Sequence, residues 1–353
     1  MMKNDDRPIV AITAGDPAGI GPEIIVMTLS RRDIYEKCRP VVIGERKLME
    51  RALKIVKSPL KINVISHPSE GRYEYGVIDL IDLGNIEDLD RIGFGRPSAE
   101  GGRASIQFIE TATKYAMNGD VDAIATAPIN KKSLALAGSK FVAHTEMLKE
   151  LTGAPDVAML LIGDSLRVAH VTTHVAFKDV PKLLTKERII KVVKLFHEAL
   201  IDLGIENPRI AVAGLNPHAG EDGLFGREEI DVIKPAVEEL QKEGINVRGP
   251  FPPDTVFVRT LGGEFDGVVA MYHDQGHIPV KLIGFRVSDP TRRIYSKMSG
   301  VNITLGLPII RVSVDHGTAY GKAGKGTANP ESMIEAVEIA ARMASSRKKR
   351  ASP

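Results

Sequence analysis

The chain reads as an α/β protein with a largely parallel sheet, divided between two domains. Two observations carry that reading: apolar runs of strand length alternate with amphipathic stretches from end to end, and 353 residues exceed what one compact core usually holds. The strand candidates, in chain order, are PIVAITAG (8–15), RPVVIG (39–44), GVIDLIDL (76–83), VDAIATAP (121–128), VAMLLIG (157–163), LRVAHVTTHV (166–175), PRIAVAGL (208–215) and FDGVVAMY (265–272). Each is rich in apolar and β-branched residues, which suit a pleated, buried position. Between them, residues 101–118, 186–203 and 226–243 carry apolar side chains at helical spacing. Strands separated by helices need crossover connections, so parallel pairing follows. Two hinge candidates, Ala-Pro-Ile-Asn-Lys at 127–131 and the polar run RVSDPTRRIYSKMS at 286–299, make the first domain discontinuous. It is expected to comprise 1–128 plus 300–353, with 129–299 as the second domain.

Composition excludes several classes. Hydrophobic residues make up 43% and charged residues 26%, ordinary values for a globular protein. No apolar run approaches the roughly 20 residues that cross a bilayer. The start, MMKNDDRPIVAITAGD, enters a strand-like run without the apolar segment of a signal peptide, so a cytoplasmic location is expected. Cys38 is the one cysteine, which excludes an internal disulfide and a cysteine-rich zinc site. Any metal must then be held by His, Asp or Glu. Net charge is +2, and the tail Arg347, Lys348, Lys349 and Arg350 supplies four positives, leaving −2 for the remainder. That tail reads as a solvated terminus, and no basic stripe or motif suggests nucleic acid.

Chemistry concentrates where strands end. GDPAGIGPEI (15–24) follows a strand and opens a helix, with Pro22 and Glu23 suited to a first turn, yet it is not the G-x-G-x-x-G fingerprint. In MYHDQGHIPVKL (271–282), His273 and His277 stand four apart, but Gly276 and Pro279 oppose an unbroken helix. His273 is therefore expected just beyond the end of a buried strand, where α/β proteins bind ligands. His174 and His218 also follow strand-like runs and enter Gly- or Pro-containing turns. Three neutral imidazoles on one rim suit zinc or another divalent first-row metal, with positions left for substrate. His67 and His197 read as surface or packing residues.

GDPAGIGPEI and a second segment, DHGTAYGKAGKGTANP (315–330), resemble the ends of the isocitrate and isopropylmalate dehydrogenases. In those enzymes the second segment binds the adenosine part of NAD, which points to Gly317, Thr318, Ala319, Gly324 and Asn329 as cofactor contacts. From about Pro8 to Ala344 the chain is similar to the 4-hydroxythreonine-4-phosphate dehydrogenase family of vitamin B6 biosynthesis. The motifs are TAGDPAGIGPEI, ATAPINKKSL, HTEML, TTH, GLNPHAGEDGLFGREE, PPDTVF, YHDQGH and GVNITLGLPIIR. That resemblance implies an isocitrate dehydrogenase-like pair of α/β/α domains around a cleft, and a homodimer whose subunits share active sites. The first domain would bind nucleotide, and the second would hold the metal and form the dimer. The resemblance assigns metal binding to His174, His218 and His273, and substrate binding to His144, Thr145, Lys281, Asn302 and Arg311. Asp254 matches an aspartate near the reacting carbons, and Asp254 and Lys281 are the expected catalytic residues.

YHDQGHIP, DGLFGREE and GPFPPDTVF look closer to the branch that oxidises 4-phosphothreonate or 4-phosphoerythronate. The implied reaction is oxidation at C3 by NAD, with one divalent metal (Zn, Mg, Co or Mn), followed by loss of CO2 to give dihydroxyacetone phosphate. The substrate partner is thus a small phosphorylated hydroxy acid, with no nucleic acid and no membrane. Residues 286–299 lengthen the loop between Lys281 and Asn302, adding Arg292, Arg293 and Lys297 as candidates for substrate contact. Three alternatives stand beside this reading. One is the B6 enzyme acting on 4-phosphohydroxythreonine, another a metal-dependent phosphohydrolase or aldolase without NAD, and the third a catalytically silent metabolite-binding protein.

Overall fold

The computed structural model describes residues 5–289, 291 and 294–351; Arg292 and Arg293 lie outside them. The strands are β1 (Ile9–Thr13), β2 (Arg39–Gly44), β3 (Lys61–Ile65), β4 (Val77–Asp82), β5 (Ala123–Thr126), β6 (Ala158–Gly163), β7 (Leu166–His170), β8 (Ile210–Ala213), β9 (Val247–Phe251), β10 (Gly267–Ala270), β11 (Phe285–Asp289), β12 (Ile294–Met298), β13 (Val301–Leu305) and β14 (Arg311–Val314). They fall into two compact units, residues up to 157 together with those from 307 on, and residues 158–306. Sequence reading put these crossings at 128/129 and 299/300. Helices Lys131–Leu136 and His144–Thr152 stay with the first unit because both pack on its long helix, Ala99–Asn118.

In the first unit the strand order is β3-β4-β2-β1-β5-β14, and every neighbouring pair is parallel. Ala11, Val41, Ile43, Ile81 and Ile124 form one cluster with Phe108, Ile109 and Ala112 of Ala99–Asn118. The intervening Val10, Ile12, Val42 and Leu80 are equally buried, so both faces of the sheet are covered, as a parallel sheet requires. Helix Glu331–Ala351 packs on β1, β5 and β14 and against helix Gly21–Leu29.

The second unit is mixed. β13, β6 and β7 pair antiparallel in turn, and β7, β10, β8 and β9 continue in parallel. Asp164, with φ 53°, turns β6 into β7. The 286–299 run contributes an antiparallel ribbon, β11 with β12. No helix among the described residues is long and apolar enough to cross a membrane.

The segment expected to resist helix formation is a helix, His273–Gly284, with Pro279 inside it. A proline there removes the ladder bond that would reach the Gln275 carbonyl, and tertiary contacts outweigh that loss. Gln275 explains part of it: its Oε1 accepts from Met271 N at 2.7 Å, and its Nε2 donates to Gly214 O at 2.8 Å. Gly276 explains the rest. A Cβ at Gly276 would stand 2.4 Å from His170 Nε2 and 2.6 Å from Val168 Cγ1, so glycine here permits helix and strand to touch.

Gly276→Ala is accordingly expected to destabilise the protein by about 1–3 kcal/mol through overpacking. An open helix interior would instead gain roughly 1 kcal/mol from the same change. Urea unfolding decides between them, and a neutral or stabilised variant would show that the helix has room to spare.

Candidate active site

In the second unit, the loops that follow β7 and β8 and the start of helix His273–Gly284 carry the imidazoles. β7 ends at His170, earlier than expected, and Val171–Val175 run on as loop, held by Thr172, whose N and hydroxyl both donate to Met271 O. His174 lies in that loop with its ring centroid 5.5 Å from that of His273. Both line a cavity of about 290 Å³ with Asp274. Asp274 Oδ1 lies 2.7 Å from His273 Nδ1. A carboxylate can only accept, so the proton sits on Nδ1 and the Nε2 lone pair is presented.

His218 lines a second cavity, about 650 Å³, together with Asp254 and Glu228. Phe177, Val180 and Tyr272 border both cavities, and the rings of Phe177 and Tyr272 meet edge to face at 5.2 Å. The loop carrying His218 is unusual. From His218 through Gly223 every φ is positive (53, 55, 80, 42, 54 and 95°), a left-handed turn built largely from non-glycine residues. The buried carboxylate of Glu229 anchors its approach, accepting from Leu215 N at 2.7 Å, Asn216 N at 2.8 Å and Asn216 Nδ2 at 2.9 Å.

Among the described residues no three His, Cys, Asp or Glu side chains converge as a metal cage. The chain alone brings His174 and His273 together and leaves His218 in the neighbouring cavity. The donor chemistry suits a divalent metal, since two imidazoles share a cavity and one has its tautomer fixed by a carboxylate.

Two residues that strand-end reasoning passed over complete the cluster. His170 is fully buried, and His277 is 8% exposed. His277 Nδ1 lies 3.1 Å from His170 Nε2, and its ring stacks on His273 with centroids 3.6 Å apart and planes 11° apart. The signal was present as two H-x-x-x-H spacings, His170 to His174 and His273 to His277. Burial, first, and then the neighbouring His277 push His170 down to about 3, so it is neutral at physiological pH. Lys281, farther along the same helix, holds its ammonium 4.8 Å from the Phe285 ring centroid, and Asn302 pairs with Leu161 within the sheet. Lys297, in the ribbon, pairs with Asp164 at 3.0 Å.

In the first unit, His144 and Thr145 open helix His144–Thr152, whose preceding residue Ala143 offers no side-chain cap. Arg311, at the start of β14, is 3% exposed and donates to Thr126 Oγ1 through Nε and Nη2, at 3.1 and 2.8 Å. Burial lowers the guanidinium to about 9, still cationic at neutral pH. Burial and then the charge of Arg311 hold His144 well below its ordinary value, and its Nε2 is buried without a hydrogen-bond partner. A buried cation whose charge reaches an unsatisfied imidazole nitrogen is a combination that suits an anionic ligand.

The two glycine-rich segments, paired by resemblance, are joined physically. Glu23 accepts from Gly324 N at 2.6 Å and Gly326 N at 2.8 Å, while Asp16 accepts from Tyr320 Oη at 2.9 Å and Ser133 Oγ at 2.8 Å. Thr318 O accepts from Ile20 N at 3.1 Å. Gly317 and Ala319 are exposed, and Asn329 Oδ1 accepts from Glu331 N at 2.8 Å at the start of the last helix. His67 and His197 are indeed outside these clusters, the first bonded to Ser69 in a surface turn and the second partly buried in helix Lys186–Asp202.

Residues 36–340 match the family described as pyridoxal phosphate biosynthetic protein PdxA. The chain is 48% identical over 338 residues to a 4-hydroxythreonine-4-phosphate dehydrogenase of Desulforapulum autotrophicum, covering 96% of each. It is 47% identical over 345 residues to a D-threonate 4-phosphate dehydrogenase of Cupriavidus necator, covering 98% of this chain and 99% of that one. A crystal structure of a 4-hydroxythreonine-4-phosphate dehydrogenase from Klebsiella pneumoniae superposes with a TM-score of 0.84 at 43% identity, covering 96% of this chain and 99% of its own. With a family match across most of its length and relatives at nearly half identity end to end, the chain belongs to the PdxA family.

Proposed function

We propose that the protein is an NAD-dependent, metal-dependent dehydrogenase that oxidises C3 of a 4-phosphorylated hydroxy acid and releases its carboxylate as CO2. The favoured substrate is 4-phospho-D-threonate or 4-phosphoerythronate, and the product is dihydroxyacetone phosphate. The observation that carries this reading is the Arg311 and His144 pair, a buried cation and an orphaned imidazole nitrogen that suit a phosphate or carboxylate. Relatives named as D-threonate 4-phosphate dehydrogenase, or as putative ones, support the substrate class. The relative named for 4-hydroxythreonine-4-phosphate supports the second reading, the B6 enzyme.

His174 and His273 would hold one divalent metal (Zn, Mg, Co or Mn), with His218 completing the set from the second subunit of a homodimer. Supporting that assignment, His218 lines a different cavity from the one His174 and His273 share within one chain. The apolar side chains beside it, Leu224 (73% exposed) and Phe225 (47%), suit a loop that inserts into a partner. When bound, the metal supplies Lewis acidity at the C3 oxygen and NAD takes up the hydride. Asp274 keeps the proton on His273 Nδ1, so that the Nε2 lone pair is presented to a metal. Arg311, His144 and Thr145 bind one anionic group of the substrate. Lys281, with Asn302 as a neutral hydrogen-bonding partner, serves another, and the Lys281 ammonium stabilises negative charge left as CO2 departs. Asp254 is the proposed base for the hydroxyl proton. The 315–330 segment, through Gly317, Thr318, Ala319, Gly324 and Asn329, is the proposed contact for NAD.

Three measurements follow. A panel of phosphorylated threonate and erythronate isomers beside 4-phosphohydroxythreonine, followed by NADH formation, is expected to favour the hydroxy acids; preference for the amino substrate makes the B6 reading the better one, and no NADH with any of them removes both. Arg311→Gln is expected to raise KM roughly 10–100-fold, the equivalent of about 1.4–2.8 kcal/mol of charge-assisted hydrogen bonding, and to move the His144 pKa upward as one of its two depressing causes disappears. Unchanged KM would take Arg311 out of the site. Finally, His218→Ala and His273→Ala subunits, each inactive alone, are expected to regain about half the activity per mixed dimer. Proven heterodimers without activity would place both ligands on one chain.

A further inference from the structure

We infer that His170 and His277 are positioning residues for His273, a buried imidazole pair that fixes the ring plane of the proposed metal ligand. The inference rests on the assignment of His273 to the metal. Two imidazoles buried where aliphatic side chains would pack carry a desolvation cost, so their hydrogen bonds have to be satisfied. The pattern of acceptors settles their protons. His170 Nδ1 faces Met159 O at 3.4 Å, and a carbonyl only accepts, so the hydrogen is on Nδ1 and the lone pair on Nε2. His277 Nδ1, 3.1 Å from that lone pair and 3.0 Å from His273 O, must then carry a hydrogen as well. The chain of donors runs from His277 to His170 to the carbonyl of β6.

His277 so locked lies flat on His273, centroids 3.6 Å apart. Asp274 restrains the His273 ring within its plane, and His277 restrains it from one face. His170 acts at one remove, its ring centroid 6.4 Å from that of His273. Gly276 belongs to the same device, because any Cβ there would strike His170 Nε2. A leucine at 277 would fill the volume without a direction, leaving the face of His273 free to rock. Outer partners of this kind typically change metal affinity about 10–100-fold.

The test uses the full-length protein with Zn2+ alone, its affinity read by competition with a chromophoric chelator, and with Co2+, read by its visible absorption band. His170→Leu and His277→Leu are each expected to weaken Zn2+ about 10–100-fold and shift the Co2+ band. The double variant is expected to lose little more than either single one, because the residues act as a unit. His170→Gln, whose amide can accept from His277 and donate to Met159 O, is expected to restore most of the affinity. Nitrogen-15 spectra of the metal-free wild type are expected to show both His170 and His277 as Nδ1–H tautomers, whatever the variants' stability. Folded His170→Leu with wild-type affinity and Co2+ band, or an Nε2–H tautomer at His277, overturns the inference. Failure of the underlying assignment looks different: the wild type would bind no Zn2+, or His273→Ala would bind it equally well, while the tautomers still decide whether the pair exists.

Discussion

Backbone N–H groups in the turns and loops beyond the strands need acceptors, and this chain supplies them with side chains of the same unit. Each such donor left unpaired would cost on the order of 1–3 kcal/mol. In the first unit Asp16 and Glu23 do this for the turn after β1 and for the 324–326 loop. In the second, Glu229 receives the N–H groups of Leu215 and Asn216 after β8, and Gln275 receives that of Met271 after β10. The loops bearing the candidate chemistry are thereby fixed before any ligand arrives, which is the condition for preorganised binding.

The same anchoring explains how an improbable backbone survives. Left-handed residues ordinarily occur singly, at roughly 1–2 kcal/mol each for residues other than glycine. His218, Ala219, Glu221 and Asp222 adopt that conformation in one uninterrupted turn. Glu229 holds the entrance to the turn, and Gly220 packs close under it, since a Cβ there would meet Glu229 Oε2 at 2.6 Å. Strain gathered in the turn that carries His218, with a buried carboxylate at its entrance, is a pattern found at functional sites.

How legible this was depended on whether a local rule or a tertiary contact governed each element. The inner strands were legible because apolar runs such as VVIG and IAVA have nowhere to go but a sheet interior, whereas β3, β9 and β11 to β14 were not read as strands. The antiparallel trio β13, β6 and β7 was not, because pairing direction there depends on one left-handed residue, Asp164, and on a strand returning from 301. The helix at His273–Gly284 was misread outright: Gly276 and Pro279 break helices in isolation, whereas here Gly276 is what lets the helix dock on β7. His174, His218 and His273 were found by asking which histidines follow strands. His170 escaped that question because it is the last residue within its strand, facing the helix rather than the solvent.

The places where local rules fail are not scattered. In the second unit the proline-bearing helix, the left-handed turn and the buried histidine pair all adjoin His273 or His218, which is where a sequence is expected to depart from consistency. That bears on substrate choice. Relatives named for two different substrates match this chain almost equally, at 48% and 47% identity, so overall similarity cannot separate them. The difference must lie in a few side chains. His277 lies in YHDQGHIP, one of the segments that look closer to the phosphothreonate branch, yet with 8% exposure and its Nδ1 committed to His170 and the His273 carbonyl it is better built to steady a neighbouring ring than to grip a ligand. A side chain so committed acts through the ring it stacks on, so its effect belongs to the pair behind His273 and is invisible in any list of cavity-lining residues.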